Sequence, residues 1–183
     1  MKAPSTPCAY DKAAMLALPA DKFDQDMNGG WRPLADKPAC LKVAADLLAA
    51  YRKANWGKLK PYQLHTNYWH EGQIRAAAGD YSTAAVLLMA GTGPTSGEGF
   101  DEYALGTVAF LKHDLPALKS ARERLAKTPP PSDWKQQAAT FKAKFGETMT
   151  WPLNLEILDG LIACFDKPYA EAYGEKCQPK NAD

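Results

Sequence analysis

From residue 39 onward, apolar side chains recur at helical spacing. Leu41, Ala44, Ala45, Leu48 and Tyr51 follow the i, i+3, i+4, i+7 rule that gathers one apolar stripe on a helix, and this helix is expected to end near Asn55 and Gly57. After Pro61 the pattern predicts a second helix over 62–78, stopped by Gly79, and a third, capped by Asp80, that runs to about Ala90. Residues 91–99 read as a glycine-rich loop. Beyond it a helix is expected over 100–112, and another, capped by Asp114 with Pro116 in its first turn, reaches Lys127. The three prolines at 129–131 stop it. Ser132 then caps a short helix ending near Phe145, Pro152 opens a helix that continues to Phe165, and Asp166 starts the last, with Pro168 in its first turn. No sustained alternation of Val, Ile or Thr occurs, so little or no sheet is expected. The pattern predicts an all-α protein of seven or eight helices, folded as antiparallel helical hairpins.

Residues 1–39 differ. They hold Pro4, Pro7, Pro19, Pro33 and Pro38 with Gly29 and Gly30, which predicts turns around one short helix over 12–18. This is read as an irregular arm packed on a helical domain spanning 40–183, the whole making a single domain. A chain of 183 residues, 46% hydrophobic, buries one sizeable core. Lys and Arg number 22 against 21 Asp and Glu, a balance without the basic footprint that grips nucleic acid or an anionic membrane surface. The longest apolar stretches, 84–90 and 161–165, fall far short of the roughly 20 residues that cross a bilayer. No nucleic-acid partner and no membrane insertion are expected.

The four cysteines, Cys8, Cys40, Cys164 and Cys177, sit toward the two ends of the chain. Four cysteines allow three pairings. Their grouping favours two local staples, Cys8 with Cys40 and Cys164 with Cys177. No C-x-x-C occurs, so zinc-ribbon and thioredoxin-like chemistry has no support. The opening MKAPSTPC has no apolar core of a signal peptide and reads as a mature start after a leader was removed. Together these features point to a periplasmic or secreted protein.

An internal repeat runs through the middle of the chain. Gly72 and Gly106 are 34 residues apart, and so are Asp80 and Asp114, the period of one tetratricopeptide helix-turn-helix unit. A mid-helix glycine costs about 1 kcal/mol against alanine, tolerable where it lets a partner helix approach closely. On Gly72, Gly79, Tyr81, Ala84 and Leu88, and again on Gly106, Leu115 and Pro130, the chain resembles the tetratricopeptide-repeat superfamily. Glu71, Arg75, Leu118 and Arg122 depart from that pattern, and a third, looser unit places Gly160 at the packing position. The resemblance implies an α-solenoid or a compact helical bundle. It also implies a concave groove lined by the first helix of each hairpin, which falls on Thr66, Trp69, Gln73, Tyr103, Thr107 and Phe110 as partner-binding residues. Aromatic side chains with a polar edge are common anchors for a bound peptide.

Other candidate chemistry is sparse. Asp24, Asp26 and Asn28 followed by Gly29 match the first half of a calcium loop, but Ala35 stands where the closing glutamate belongs. A hydrogen-bonded turn anchoring the arm is the favoured reading. His70 and Glu71 begin a zinc-protease motif that Ile74 breaks, and His65 diverges from His70 around the helix. His113 falls at a turn between helices, and the glycine-rich loop follows a helix and lacks G-K-[ST]. No catalytic residue is nominated and no cofactor is expected. The chain is therefore read as a non-enzymatic protein- or peptide-binding module, such as an adaptor in the cell envelope. Two alternatives remain open: an immunity or inhibitor protein that neutralises a secreted enzyme, and a helical hydrolase with an unrecognised carboxylate site.

Overall fold

A computed structural model describes residues 7–94 and 96–179. Among them are eleven α-helices and no strand. The chain divides into two compact units, residues 1–95 and 96–183, and the boundary falls inside the glycine-rich loop.

The first unit opens with three short helices, α1 (Lys12–Ala17), α2 (Ala20–Asp24) and α3 (Arg32–Ala35). Only the first of these is legible in the sequence, so the arm is more ordered than its prolines suggest. Asp11 caps α1 by accepting from the Ala14 N–H at 3.0 Å. Then come α4 (Leu41–Ala54), α5 (Pro61–Ala77) and α6 (Tyr81–Ala90), with α4 packed on α5 and α5 on α6. The stripe of α4 places Ala44, Leu47, Leu48 and Tyr51 in a core completed by Phe23, Trp31 and Leu34 of the arm. Phe23 stacks on Tyr51 with ring centroids 3.6 Å apart, and the Tyr51 hydroxyl donates to the Leu18 carbonyl at 2.7 Å. The Cys8–Cys40 disulfide ties the start of the arm to the start of α4.

The second unit holds α7 (Phe100–Leu111), α8 (Leu115–Ala126), α9 (Trp134–Phe145), α10 (Leu155–Ala163) and α11 (Tyr169–Ala172). Here α7 packs on α8, and α10 rests on both. The core contains Ala104, Val108, Leu118, Ala121, Leu125, Leu158 and Leu161. Helix α10 begins at Leu155 rather than at Pro152, and the final helix is a single turn. The Cys164–Cys177 disulfide closes the C-terminal segment onto the end of α10.

The 34-residue period reappears in the backbone. At the end of α5, Gly79 turns left-handed (φ +84°), and the N–H of Asp80 donates to the Arg75 carbonyl at 2.9 Å. At the end of α7, His113 turns left-handed (φ +56°), and the N–H of Asp114 donates to the Ala109 carbonyl at 2.9 Å. Both are Schellman ends, in which one left-handed residue lets the chain satisfy the last carbonyls. Each aspartate then caps the next helix, accepting from the Thr83 and Ala117 N–H groups respectively. The helix glycines serve close approach: a β-carbon on Gly72 would lie 2.9 Å from Leu88 of α6, and one on Gly106 would lie 2.8 Å from Leu158 of α10. Gly160 instead faces the backbone at Cys177 and the side chain of Gln178, so it admits the disulfide-held tail rather than a partner helix.

Candidate functional site

The residues nominated for a binding groove are mostly interior. Trp69, Tyr103, Thr107 and Phe110 are buried, and Thr66 and Gln73 are half-buried. Thr107 donates to the Tyr103 carbonyl at 2.9 Å, and the Tyr103 and Tyr173 hydroxyls are 3.0 Å apart. Burial, followed by the neighbouring Tyr173 phenol, pushes the Tyr103 hydroxyl well above its ordinary pKa. The Phe110 ring meets Phe165 edge-on at 5.8 Å. Trp69, Tyr103, Thr107 and Phe110 therefore sit in packed surroundings, while Thr66 and Gln73 keep part of their surface exposed. Period alone marks the stripe of a helix and not what covers it.

The half calcium loop folds as the hydrogen-bonded turn. Asp24 is buried, and its Oδ1 lies 2.8 Å from His70 Nδ1 and accepts from Trp31 Nε1 at 2.8 Å. Its Oδ2 accepts from Gln25 at 3.2 Å, and its backbone carbonyl accepts from Arg32. Asp26 accepts from the Asn28 N–H at 3.1 Å. The Asp24 and Asp26 carboxylates are thus engaged in separate hydrogen bonds of the fold, and no group of three or more His, Cys, Asp or Glu side chains suited to a metal occurs among the described residues. Burial pushes the Asp24 carboxyl up, but the hydrogen bond and charge of His70, with the Trp31 and Gln25 bonds, outweigh it and hold the group below its ordinary value.

Three of the four departures from the repeat pattern, Glu71, Arg75 and Arg122, make ion pairs between helices, and the fourth, Leu118, is a buried core residue. Glu71, buried in α5, sits 2.6 Å from Arg52 of α4 and accepts from Arg75 Nε at 2.8 Å. Arg75 also reaches Asp46 of α4 at 3.0 Å, and Arg52 donates to Asn67 Oδ1 at 2.8 Å while lying over the Tyr68 ring. In the second unit Arg122 of α8 grips Asp159 of α10 through two bonds of 2.7 and 3.1 Å. Polar side chains stand where a repeat would carry apolar ones because each has a charged partner on the facing helix. His113 stacks on Phe165 at 4.4 Å between ring centroids.

Helix α9 is only partly covered: Trp134, Ala138 and Phe141 are half-buried, and the Trp134 ring meets Trp151 with centroids 4.9 Å apart. No residue of α9 is buried, and α9 is not among the closely paired helices. Phe141 and Phe145, one turn apart with ring centroids 4.7 Å from each other, line a shallow groove with Met149, Gln137 and Lys144. Phe145 is 55% exposed, and the Lys144 ammonium lies 5.0 Å from the centre of its ring. The helix carries Lys135, Lys142 and Lys144 and no acidic residue.

Fold and surface together define an all-α protein of packed antiparallel helix pairs with two disulfides. The chain matches no protein-family model, and no curated protein or solved structure matches it.

Proposed function

We propose that this protein is a non-enzymatic protein- or peptide-binding module of an oxidising compartment, the cell envelope or the extracellular space, with α9 as its contact element. The observation that carries this is the Phe141–Phe145 groove, in which Phe145 is 55% exposed, on a helix with no fully buried residue. An aromatic side chain left exposed at the end of a partly covered helix has its apolar area available to a partner. The groove is walled by one lysine, Lys144, and one aspartate, Asp133, so its aromatic side chains rather than net charge favour a segment with apolar anchors. The two disulfides and the absence, among the described residues, of a helix long and apolar enough to cross a membrane fit this setting. The repeated Schellman ends and the Gly72–Leu88 approach support a tetratricopeptide-like ancestry for the middle hairpins.

The test is capture from a native extract, comparing the wild type with a Phe141→Ser/Phe145→Ser variant. Retention of one stoichiometric partner by the wild type and its loss in the variant, at unchanged melting temperature, is the expected result. Capture of a secreted enzyme, inhibited in the complex, would select an immunity or inhibitor role. If nothing is retained, the adaptor reading falls.

A second reading, a helical hydrolase, rests on the Asp24–His70 pair. The Asp24 Oδ1 lies 2.8 Å from His70 Nδ1 and so fixes the orientation of the ring, the arrangement in which a carboxylate orients a histidine general base. Turnover of an ester or glycoside substrate that disappears in Asp24→Asn would establish it, and the absence of turnover in the wild type would end it.

A further inference from the structure

The turn between α4 and α5, residues 55–60, is closely tied down. The Asn55 side chain donates to the Leu16 and Tyr51 carbonyls at 3.1 and 3.2 Å, and the Asn55 carbonyl accepts from the N–H groups of Lys58 and Leu59 at 2.8 and 3.1 Å. What this ordered turn holds outward is Trp56, 58% exposed. A side chain on the adjoining Gly57 would stand in open space, so the turn projects into solvent. Trp56 and Lys53 share the wall of an open recess with Ala49 and Arg52, which sets the indole and an ammonium group on the same side.

A lone exposed apolar side chain is ordinary on a protein surface. The charge around this one is not. Residues 47–70 contain no acidic residue, and Lys53, Lys58 and Lys60 are exposed and form no ion pair among the described residues. Acids on the neighbouring elements are already engaged: Glu71 is shared by Arg52 and Arg75, Asp46 pairs with Arg75, and Asp24 lies against His70. Asp21, which shares a cavity wall with Leu59, is exposed, but so is Lys22 beside it. The net charge of +1 therefore averages over a local excess of positive charge around an exposed indole.

Shape selects the partner. Single-stranded nucleic acid is held along a basic groove that tracks its backbone, and a peptide by pockets for its anchors, whereas here the cations surround a projecting turn. A fluid anionic lipid surface conforms to such a turn: ammonium groups meet the lipid phosphates, and an indole lies at the level of the headgroups. We infer that the α4–α5 turn is a peripheral contact with an anionic bilayer surface, with Trp56 entering the headgroup layer and Lys53, Lys58 and Lys60 drawn by its charge. The contact rests on the membrane without crossing it, and it does not depend on the α9 surface.

The experiment sediments the full oxidised chain with vesicles of phosphatidylglycerol and phosphatidylcholine in equal parts, and with vesicles of phosphatidylcholine alone. Binding to the first, weaker by about tenfold or more on the second and lost in molar salt, is expected. Lys53→Gln/Lys58→Gln/Lys60→Gln should weaken it about a hundredfold, roughly fivefold per lysine, and Trp56→Ser by about tenfold. Both variants should keep the wild-type melting temperature, since the side chains are exposed. Quenching of indole emission by brominated phosphatidylglycerol, smaller in Trp56→Phe than in the wild type, places this ring in the lipid surface. Phe141→Ser/Phe145→Ser should sediment like the wild type, so the turn and the α9 reading stand or fall separately. No sedimentation with anionic vesicles, equal sedimentation with neutral ones, or binding indifferent to the lysine and tryptophan substitutions overturns the inference. Retention on heparin with the same lysine dependence, but without vesicle binding, overturns it in favour of a soluble polyanion.

Discussion

Glu71 shows how much one side chain can hold at the residue scale. It is a buried carboxylate shared by Arg52 and Arg75, and removing it leaves two guanidiniums facing each other across α4 and α5. Glu71→Ala should therefore cost about 3–5 kcal/mol, whereas Asp46→Ala, which removes only the exposed end of the network, should cost less than about 1 kcal/mol. Urea unfolding of the two variants checks the contrast. Asp24 makes a pH prediction of definite sign. Its folded pKa lies below the unfolded value of about 3.9, so its contribution is present above that value and is lost as pH falls through the lower, folded one. In His70→Ala the carboxyl loses its strongest supporting partner while remaining buried, and its pKa should rise, bringing the acid loss to higher pH. Carboxyl-carbon NMR titration of the two proteins reads this directly. The sequence displays His70, Glu71 and Arg75 only as a broken zinc motif and a broken repeat, since their partners Asp24, Arg52 and Asp46 are distant along the chain.

At the scale of elements, boundaries are largely local matters and were legible. Prolines at 61 and 116 open α5 and α8, Asp80 and Asp114 cap α6 and α8, and Gly79 ends α5. Helices α2 and α3 were not legible: each is under two turns long, and both are held by the core residues Phe23, Trp31 and Leu34 more than by their own propensity. The two packing glycines make separate predictions. A β-carbon on Gly72 meets the Leu88 side chain and also its backbone nitrogen at 3.0 Å, while one on Gly106 meets chiefly the methyl ends of Leu158. Backbone cannot step aside as a rotamer can. Gly72→Ala should therefore destabilise by about 1–3 kcal/mol, and Gly106→Ala by less, because a better helix propensity of about 1 kcal/mol offsets part of the clash. Thermal melts of the pair decide it, and equal losses would mean that Leu158 has no room to rotate.

For the whole molecule, the disulfides close loops with sequence separations of 32 and 13 residues, each worth about 2–4 kcal/mol through restriction of the unfolded chain. Reductant should lower the melting temperature, with Cys8→Ala/Cys40→Ala the more damaging double variant, since it also frees the arm that completes the first core. Differential scanning calorimetry of the two double variants measures this. Their pairing was readable because partners lie near one another in sequence. The sequence by itself determined the all-α class, most helix limits, the staples and the 34-residue echo, all products of interactions within a few turns of chain or of closed loops. Tertiary structure alone decided that the chain forms two units, that Trp69 and Tyr103 turn inward, that Glu71 has two arginines, and that Phe145 of α9 stays exposed. The physical reason is that helical periodicity states which face of a helix is apolar, whereas burial and pairing depend on what another part of the chain brings against that face.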